Sequence, residues 1–299
     1  VAITITSTIA YQTAKKSLET ESFNKLTAIR EMKASQLEDY YRYISDQILT
    51  FSEDKMIIDA MKSFNKGFED IEHELNYSPE EVLQNDTRLK NYYQEQYLHK
   101  LNTNLEKQVS IEKYWPGNIK TKFLQQLYIA NNPYETGYKL NQDHPGDNSS
   151  YSKAHEFYHP IIRSYLEKFG YYDIFLVDHE TGHVVYTVFK EVDYGTSLLT
   201  GPYNETNFAD AFKASRNAIS KDFVRLMDFD PYHPSFNEPA AFMSSPIYDG
   251  DQKIGVLLFQ MPIDRINNIM TSKQEWSKVG LGESGETYII GSDFLIRNQ

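Results

Sequence analysis

The 299-residue chain contains no cysteine. Disulfide bonds and thiol catalysis are therefore excluded. A secreted animal domain of this size more often carries bridges, whereas a bacterial extracytoplasmic domain tolerates their absence.

Positive charge is also scarce. The chain has 30 lysine and arginine residues against 42 aspartate and glutamate residues, a formal net charge of −12 and a pI near 5.2. A nucleic-acid-binding protein needs a basic surface that faces phosphates, and a polybasic membrane-surface segment needs clustered lysine or arginine. Both classes are disfavoured, and we expect no nucleic-acid partner.

Long hydrophobic runs are missing. The opening "VAITITSTIA" is apolar but much shorter than the roughly 20 residues that cross a bilayer, and no basic segment precedes it. It is interpreted either as the cut end of a transmembrane helix or as the start of a soluble one. Hydrophobic residues still make up 40% of the chain, enough for a packed core.

Glycine and proline do not occur before Gly67 and Pro79. So long a stretch without a helix breaker predicts one very long helix, or two nearly continuous ones. Apolar residues recur along it at helical spacing, which suggests that two copies pack in parallel; the stripe comprises Tyr11, Ala14, Leu18, Leu26, Ile29, Leu37, Tyr40, Ile44, Ile48 and Phe51. Ser52 is the expected cap of the next helix. "SPEE" at 78–81 predicts a capping box with proline at the first helical position.

From Phe169 onward the hydrophobic period changes from that of a helix to that of strands. Five strand candidates follow, with a short helix in "NFADAFKASRNAI" inserted between the second and third, and a helix in "IDRINNIMTSKQEW" after the fifth. This order predicts an α+β protein with a five-stranded antiparallel sheet. The final "GLGESGETYIIGSDFLIRNQ" is expected to begin a second sheet module.

Two segments match motifs associated with chemistry. "HEFYH" at 155–159 matches the His-Glu-x-x-His pattern of zinc hydrolases, but Pro160 follows at once and favours a helix end. "GLGESG" precedes a strand, the reverse of a dinucleotide loop. No nucleophile elbow is present. We therefore expect no catalytic residue, no metal site and no cofactor in this region, and no enzymatic activity of its own.

Four blocks of sequence carry a family resemblance: "FGYYDIFLVDHETGHVVYTVFKEVDYGTSL", "DFDPYHPSFNEPAAFMSSPI", "IGVLLFQMPIDRINNIM" and "GLGESGETYIIGSD". In this order they resemble the double Cache family, the tandem PAS-like extracytoplasmic sensor domains of bacterial histidine kinases, chemoreceptors and cyclases. The resemblance implies a signalling helix over 1–55, a membrane-distal Cache module over 56–270 and the start of a membrane-proximal module over 271–299. It also implies an inner-membrane protein with this region in the periplasm and transmembrane helices flanking the chain. The apolar stripe on the first helix favours a homodimer formed through that helix.

The resemblance further implies a small-molecule site in the distal module, between the concave sheet and a lid at "DFDPYHPS". On that mapping the candidate ligand-binding residues are Asp228, Tyr232, Phe242, Ser244 and Gln260, with Tyr172, Tyr186 and Lys190 from the first hairpin. The sequence departs from amino-acid-binding members, which have Arg-x-Trp-Tyr in the lid, so recognition of an α-amino acid is not expected. Two alternatives stay open: a zinc hydrolase that uses residues 155–159, and a sensor that binds a partner protein instead of a small molecule.

Overall fold

The computed structural model describes residues 2–276, 278–282 and 285–298. It divides into two compact units, one of Ser45–Pro262 and one of Val1–Ile44 with Ile263–Gln299. The described residues form eight α-helices: α1 (Ala2–Ser52), α2 (Lys55–Leu75), α3 (Pro79–Tyr92), α4 (His99–Thr103), α5 (Ile119–Gln125), α6 (Ser150–Phe169), α7 (Asn207–Asn217) and α8 (Ile263–Met270). They also form five strands: β1 (Asp173–Asp178), β2 (Val184–Thr187), β3 (Arg225–Tyr232), β4 (Glu238–Asp249) and β5 (Gln252–Gln260).

Helix α1 is continuous over 51 residues, as the absence of breakers predicted. The cap of α2 was predicted wrongly. Ser52 is the last residue of α1, and its hydroxyl donates to the carbonyl of Leu49 at 2.9 Å. The N-cap is Asp54, whose carboxylate accepts from the backbone N–H of Met56 at 2.7 Å. The predicted capping box at Ser78 and Glu81 is confirmed.

The sheet is antiparallel throughout, with strand order β2-β1-β5-β4-β3. The α+β class with a PAS-like five-stranded sheet is thereby confirmed. Four of the strands are continuously buried over most of their length, as expected for strands covered on both faces. The turn at Asp249–Gly250 joins β4 to β5, and Gly250 adopts φ 60°, which suits a tight hairpin.

Helices cover both faces of this sheet. On one face, Phe208 of α7 packs on Phe175 and Phe242, with ring centroids 4.6 and 4.7 Å apart. On the other face, α2 and α6 pack together and lie against β1 and β2. These two helices approach closely because Gly67 has no side chain: a Cβ there would lie 2.7 Å from the Cα of Tyr151.

The smaller unit contains α8 and the end of the described chain. Lys33 of α1 donates to the carbonyl of Ile269 and to the hydroxyl of Ser272. The expected terminal hairpin is present as a single bridge between Ile290 and Ile296. The predicted turn "GLGESG" lies partly outside the described residues. No helix in the described part of the chain is long and apolar enough to cross a membrane.

Candidate functional site

A buried loop connects β2 to the segment before α7. Its residues 190–198 are all buried, which is unusual for a connecting segment because its backbone polar groups need partners inside the protein. Side chains of α5 provide several of them. The Thr121 hydroxyl donates to the carbonyl of Gly195 at 2.6 Å, and the Gln125 amide donates to the carbonyls of Val192 and Tyr194, both at 2.8 Å.

This buried loop also closes one edge of the sheet. Val184 of β2 donates to the carbonyl of Thr196, and Gly195 donates to the carbonyl of Val184, both at 2.9 Å. Gly195 adopts φ 77°, and a Cβ there would lie 3.2 Å from the Cα of Thr121, so both the turn and the close approach favour glycine.

Three carboxyl groups are buried in or beside the loop. Asp173, at the start of β1, accepts from the hydroxyl of Thr187 at 2.5 Å and from the backbone N–H groups of Ile174, Val188 and Phe189 at 2.6–3.1 Å. These contacts fix the exit of the chain from β2.

Glu191 and Asp193 are the other two buried carboxyl groups. Glu191 accepts from the hydroxyls of Ser235 at 2.7 Å and Tyr172 at 3.1 Å. Asp193 accepts from the hydroxyl of Tyr232 at 2.6 Å. Glu191 therefore links the buried loop to Tyr172, just before β1, and to Ser235, just after β3. Asp193 links the loop to Tyr232 at the end of β3.

Burial raises the pKa of all three groups because it disfavours the charged form. The pKa of Asp173 is raised to about 7 and that of Asp193 to about 6. Burial and the nearby Asp193 carboxyl raise the pKa of Glu191 well above its usual range, although the Ser235 hydroxyl opposes this. Of the three groups, Asp173 therefore keeps its proton to the highest pH for which a value is resolved, about 7.

Two lysines are buried in the same region. The Lys139 ammonium, 3% exposed, donates to the hydroxyls of Thr136 at 2.9 Å and Tyr92 at 3.2 Å and lies 4.7 Å from the centre of the Tyr92 ring. Burial lowers its pKa to about 8.

Lys190 is the second buried lysine, 1% exposed, and its backbone adopts φ 64°. Its ammonium lies 3.1 Å from Nε2 of His159 and 3.1 Å from the carbonyl oxygen of Val188. Burial lowers its pKa well below the usual range.

The β3–β4 corner, residues 233–237, lies over this region. Ser235 donates to Glu191 and lies 3.3 Å from the amide nitrogen of Gln260. The corner is held from outside by the Tyr114 hydroxyl, 2.7 Å from Nδ1 of His233, and by the Asn104 amide, which donates to the carbonyl of Phe236 at 2.8 Å.

A small cavity remains between the corner, the buried loop, the 136–139 turn and the end of α3. Its free volume is ≈ 10 Å³, room for about one water molecule. Its lining includes four aromatic side chains and three charged ones: Tyr92, Tyr97, Phe189, Phe236, Lys139, Lys190 and Glu191.

The structure does not bring the eight predicted site residues together in one place. Three of them contact the buried carboxyl groups or the corner. Tyr172 donates to Glu191, Tyr232 donates to Asp193, and the Gln260 amide donates to the hydroxyl of Ser235. The Oε1 atom of Gln260 is buried without a hydrogen-bond partner among the described residues. Lys190 lines the cavity itself.

The other predicted residues face elsewhere. Phe242 and Ser244 contact α7, where the Ser244 hydroxyl donates to the carbonyl of Ala211 at 2.8 Å. Asp228 is exposed on β3, and its carboxylate accepts from the N–H of Phe229.

Tyr186 lies on the sheet face away from α7, because it pairs with Leu176 whereas the adjacent Phe175 packs on α7. Its ring packs 4.7 Å from that of Phe64, and its hydroxyl lies 2.7 Å from Nδ1 of His159.

The His-Glu-x-x-His match has a different geometry from a zinc site. Helix α6 continues through Pro160 to Phe169, so the helix end expected at 160 was wrong. The His155 and His159 rings stack at 4.2 Å. Both nitrogens of His159 already have partners, Tyr186 and the carbonyl of Leu140, while Glu156 is exposed. Among the described residues no group of three or more potential metal ligands is present.

The sequence interpretation missed Glu191, Asp193, Ser235 and Lys139. Carboxylates and lysines in turn-rich segments are usually solvated, and no local pattern distinguishes these four from such residues. Their burial is decided by the packing of α5, the corner and the 136–139 turn, which a single sequence does not show.

Comparisons with known proteins give structural matches only. No protein-family profile matches the chain, and no curated protein matches it. The sensor domain of the V. cholerae histidine kinase DctB is 12% identical over 63% of this chain and 58% of its own, with a TM-score of 0.32.

Two chemoreceptor domains are similarly distant. The ligand-binding domain of Pseudomonas fluorescens CtaA, solved with L-serine, is 14% identical over 72% of this chain and 73% of its own (TM-score 0.32). That of Campylobacter jejuni Tlp3, solved with 4-methylisoleucine, is 10% identical over 83% and 73% (TM-score 0.33). All three are sensor or ligand-binding domains of a histidine kinase or a chemoreceptor.

Proposed function

We propose that this chain is the extracytoplasmic ligand-sensing region of a bacterial transmembrane receptor of the Cache type. It binds a small organic molecule in the sheet-containing unit and performs no chemistry of its own. The observation that carries the proposal is the set of charged side chains enclosed around the cavity beneath the β3–β4 corner, which is where the resemblance implies a lid. Burying charges is costly, and proteins keep such arrangements chiefly where they bind or react.

Ligand binding would act on the corner and the buried loop together. Glu191 contacts Ser235 of the corner, and Asp193 contacts Tyr232 at the end of β3. A molecule that displaces either contact favours a second arrangement of these segments. Helix α1 contributes residues to both compact units, so it is the element through which a shift in the sheet unit is transmitted.

We propose membrane attachment and dimerisation on separate grounds. The domain division at 1–55, 56–270 and 271–299, the flanking transmembrane helices and the periplasmic placement rest on the family resemblance. The homodimer rests on an exposed apolar groove along α1, lined in part by Tyr11, Leu18, Phe23 and Leu26 at helical spacing. A second copy of α1 would cover these side chains.

The test is a thermal-shift screen of the isolated chain against a broad panel of small metabolites, repeated with Tyr232→Phe. Tyr232 is fully buried and its hydroxyl contacts Asp193, so we expect the variant to lose the shift that a panel member gives the parent chain. Tyr128→Phe is the matched control: it removes an equally buried hydroxyl, one that contacts Ser152. If no compound shifts melting, or if both variants respond alike, a ligand site at the cluster is ruled out.

A second candidate function is favoured by the cavity volume. Space for about one water molecule is what a sensor that recognises a partner protein would also show. Ligand-induced stabilisation of the isolated chain separates the two, because a sensor for a partner protein has no small molecule to gain it from.

A further inference from the structure

A groove lies in the smaller compact unit, where α1 passes α8. Its free volume is ≈ 650 Å³, and it opens to solvent. One wall is formed by α1 over residues 33–43, and the other by α8 and the turn after it, over residues 265–273. All of these residues belong to the smaller unit, so this α1–α8 groove is separate from the cavity beneath the β3–β4 corner.

Lys33 is the buried cation of the α1–α8 groove, 4% exposed. Its ammonium donates to the carbonyl of Ile269, in the last turn of α8, and to the hydroxyl of Ser272 at 2.6 Å. An ammonium has three N–H donors, so one remains without a partner among the described residues. The end of α8 offers it only a partial negative charge, and a buried cation without a full counter-charge is unfavourable. The groove therefore supplies a donor and a positive charge that nothing described in the chain matches.

Two further cations line the groove, Arg265 on α8 and Lys273 in the turn after it, and both are exposed. Neither side chain forms an ion pair or a hydrogen bond with another described residue. Among the described lining residues the one carboxylate is that of Asp39, which already pairs with Arg42. Positive charge is thus concentrated here, on a chain whose net charge is −12.

Uncharged hydrogen-bond donors complete the lining: the hydroxyls of Tyr40 and Tyr43 and the amides of Gln36 and Asn268. Burial raises the pKa of Tyr40 to about 12, and the Arg265 guanidinium opposes this rise, so the two groups lie close together. A hydroxyl that keeps its proton can donate a hydrogen bond. Donors therefore stand on both walls, and they face a bound group from different sides.

We propose that the α1–α8 groove binds a small phosphate anion, inorganic phosphate or a phosphate monoester, with Lys33 and Arg265 as its charged contacts. A phosphate group carries nearly two negative charges and three acceptor oxygens, so it matches several donors on two walls. A carboxylate has two oxygens in one plane and matches fewer of them. The inference goes beyond the proposed function, because it assigns a second site in the other compact unit.

A phosphate in this position would also act on the helices that hold it. It would bridge Lys33 of α1 and Arg265 of α8, which are the two walls of the groove. A ligand that binds only the folded arrangement stabilises it. Binding is therefore expected to strengthen the contact between α1 and α8.

The test is calorimetry and thermal shift on the full chain with glycerol 3-phosphate, inorganic phosphate and succinate, in chloride buffer at constant ionic strength. We expect at least one of the two phosphates to bind, and the comparison between them tells whether the ligand is an ester or the free ion. Succinate, which is also a dianion, should bind about tenfold more weakly, the loss expected for one charge-assisted hydrogen bond.

Variants assign the binding to the groove. Lys33→Met should weaken phosphate binding by about tenfold or more, because it removes the buried ammonium and its unused donor. Arg265→Gln should weaken binding by about two- to fivefold, since an exposed charge contributes less; its exposed position also keeps the test valid if Lys33→Met fails to fold. Lys16→Met is the control, because Lys16 is exposed on the same helix and does not line the groove.

The result that supports the inference is binding of a phosphate that falls in both groove variants and is unchanged in Lys16→Met and in Tyr232→Phe. Failure of both phosphates to bind, equal binding of succinate, or binding that Lys33→Met and Arg265→Gln leave intact would each overturn it. Loss of binding in Tyr232→Phe would place the phosphate in the sheet-containing unit and overturn it as well. None of these results decides the sensor proposal, which depends on the metabolite panel.

Discussion

Replacing Asp173 with asparagine should make the sheet unit more stable relative to the parent chain as pH rises. Asp173 is fully buried, and its pKa is raised from 3.8 to about 7 because burial disfavours the carboxylate. In the unfolded chain the carboxyl loses its proton near pH 4, whereas in the folded chain it keeps it until about pH 7.

The sign follows from these two pKa values. Below pH 4 both states hold the proton and the carboxyl has no effect. Between pH 4 and 7 the folded state binds more protons than the unfolded one, so the free energy of unfolding falls as pH rises. A shift of about three units corresponds to roughly 4 kcal/mol, fully lost above pH 7. Asparagine has nearly the same shape, can accept the same backbone N–H bonds and does not titrate.

Urea denaturation between pH 4 and 8, followed by the fluorescence of Trp115, measures this difference in the sheet unit. The chain has two tryptophans, so the background is Trp276→Phe. We expect the stability of Asp173→Asn minus that of the parent to rise by up to about 4 kcal/mol across the window. Asp222→Asn, at an exposed position, is the control. A difference that does not vary with pH would show that Asp173 is ionised in the folded chain and would refute the reasoning.

Three further outcomes are expected. Gly67→Ala should lower the free energy of unfolding by about 1–3 kcal/mol, because the new Cβ meets the backbone of Tyr151 at 2.7 Å. Gly117→Ala is the control and should not, because nothing lies within 4 Å of a Cβ at that position. Equal melting temperatures of the two variants would contradict the close approach of α2 and α6. Leu18→Glu should shift sedimentation from dimer to monomer, because it places a charge in the apolar groove of α1. Leu83→Glu, at a similarly exposed position on α3, is the control and should not. A parent chain that sediments as a monomer at every concentration excludes the α1 dimer. Elemental analysis should find no stoichiometric zinc, since both nitrogens of His159 are occupied; one zinc per chain would reopen the hydrolase alternative.

The sheet was predictable because its information is local. Short, β-branched and aromatic apolar runs and the turn at Asp249–Gly250 define the strands, and the capping box at Ser78 defines the start of α3. The cap at Asp54 was missed because two polar residues, Ser52 and Asp54, stood near the same boundary and only the exact end of α1 distinguishes them.

The cluster around the cavity was not predictable in the same way. The resemblance points to Lys190 in the first hairpin but not to Glu191 and Asp193, one and three residues further on, since nothing in "KEVDYG" shows that the loop is buried. That depends on Thr121 and Gln125, about 70 residues earlier, which satisfy the loop's carbonyl groups. Long-range backbone partners of this kind leave no trace in local spacing.

The two outermost strands of the sheet have a consequence for how copies of this chain can assemble. The outer side of β2 already bonds to Gly195 and Thr196 of its own chain. Strand β3 has a break in register between Met227 and Asp230 and then a proline, Pro231, which has no N–H to offer a neighbour. Joining sheets edge to edge is therefore blocked on one flank and interrupted on the other, which disfavours association through the sheet.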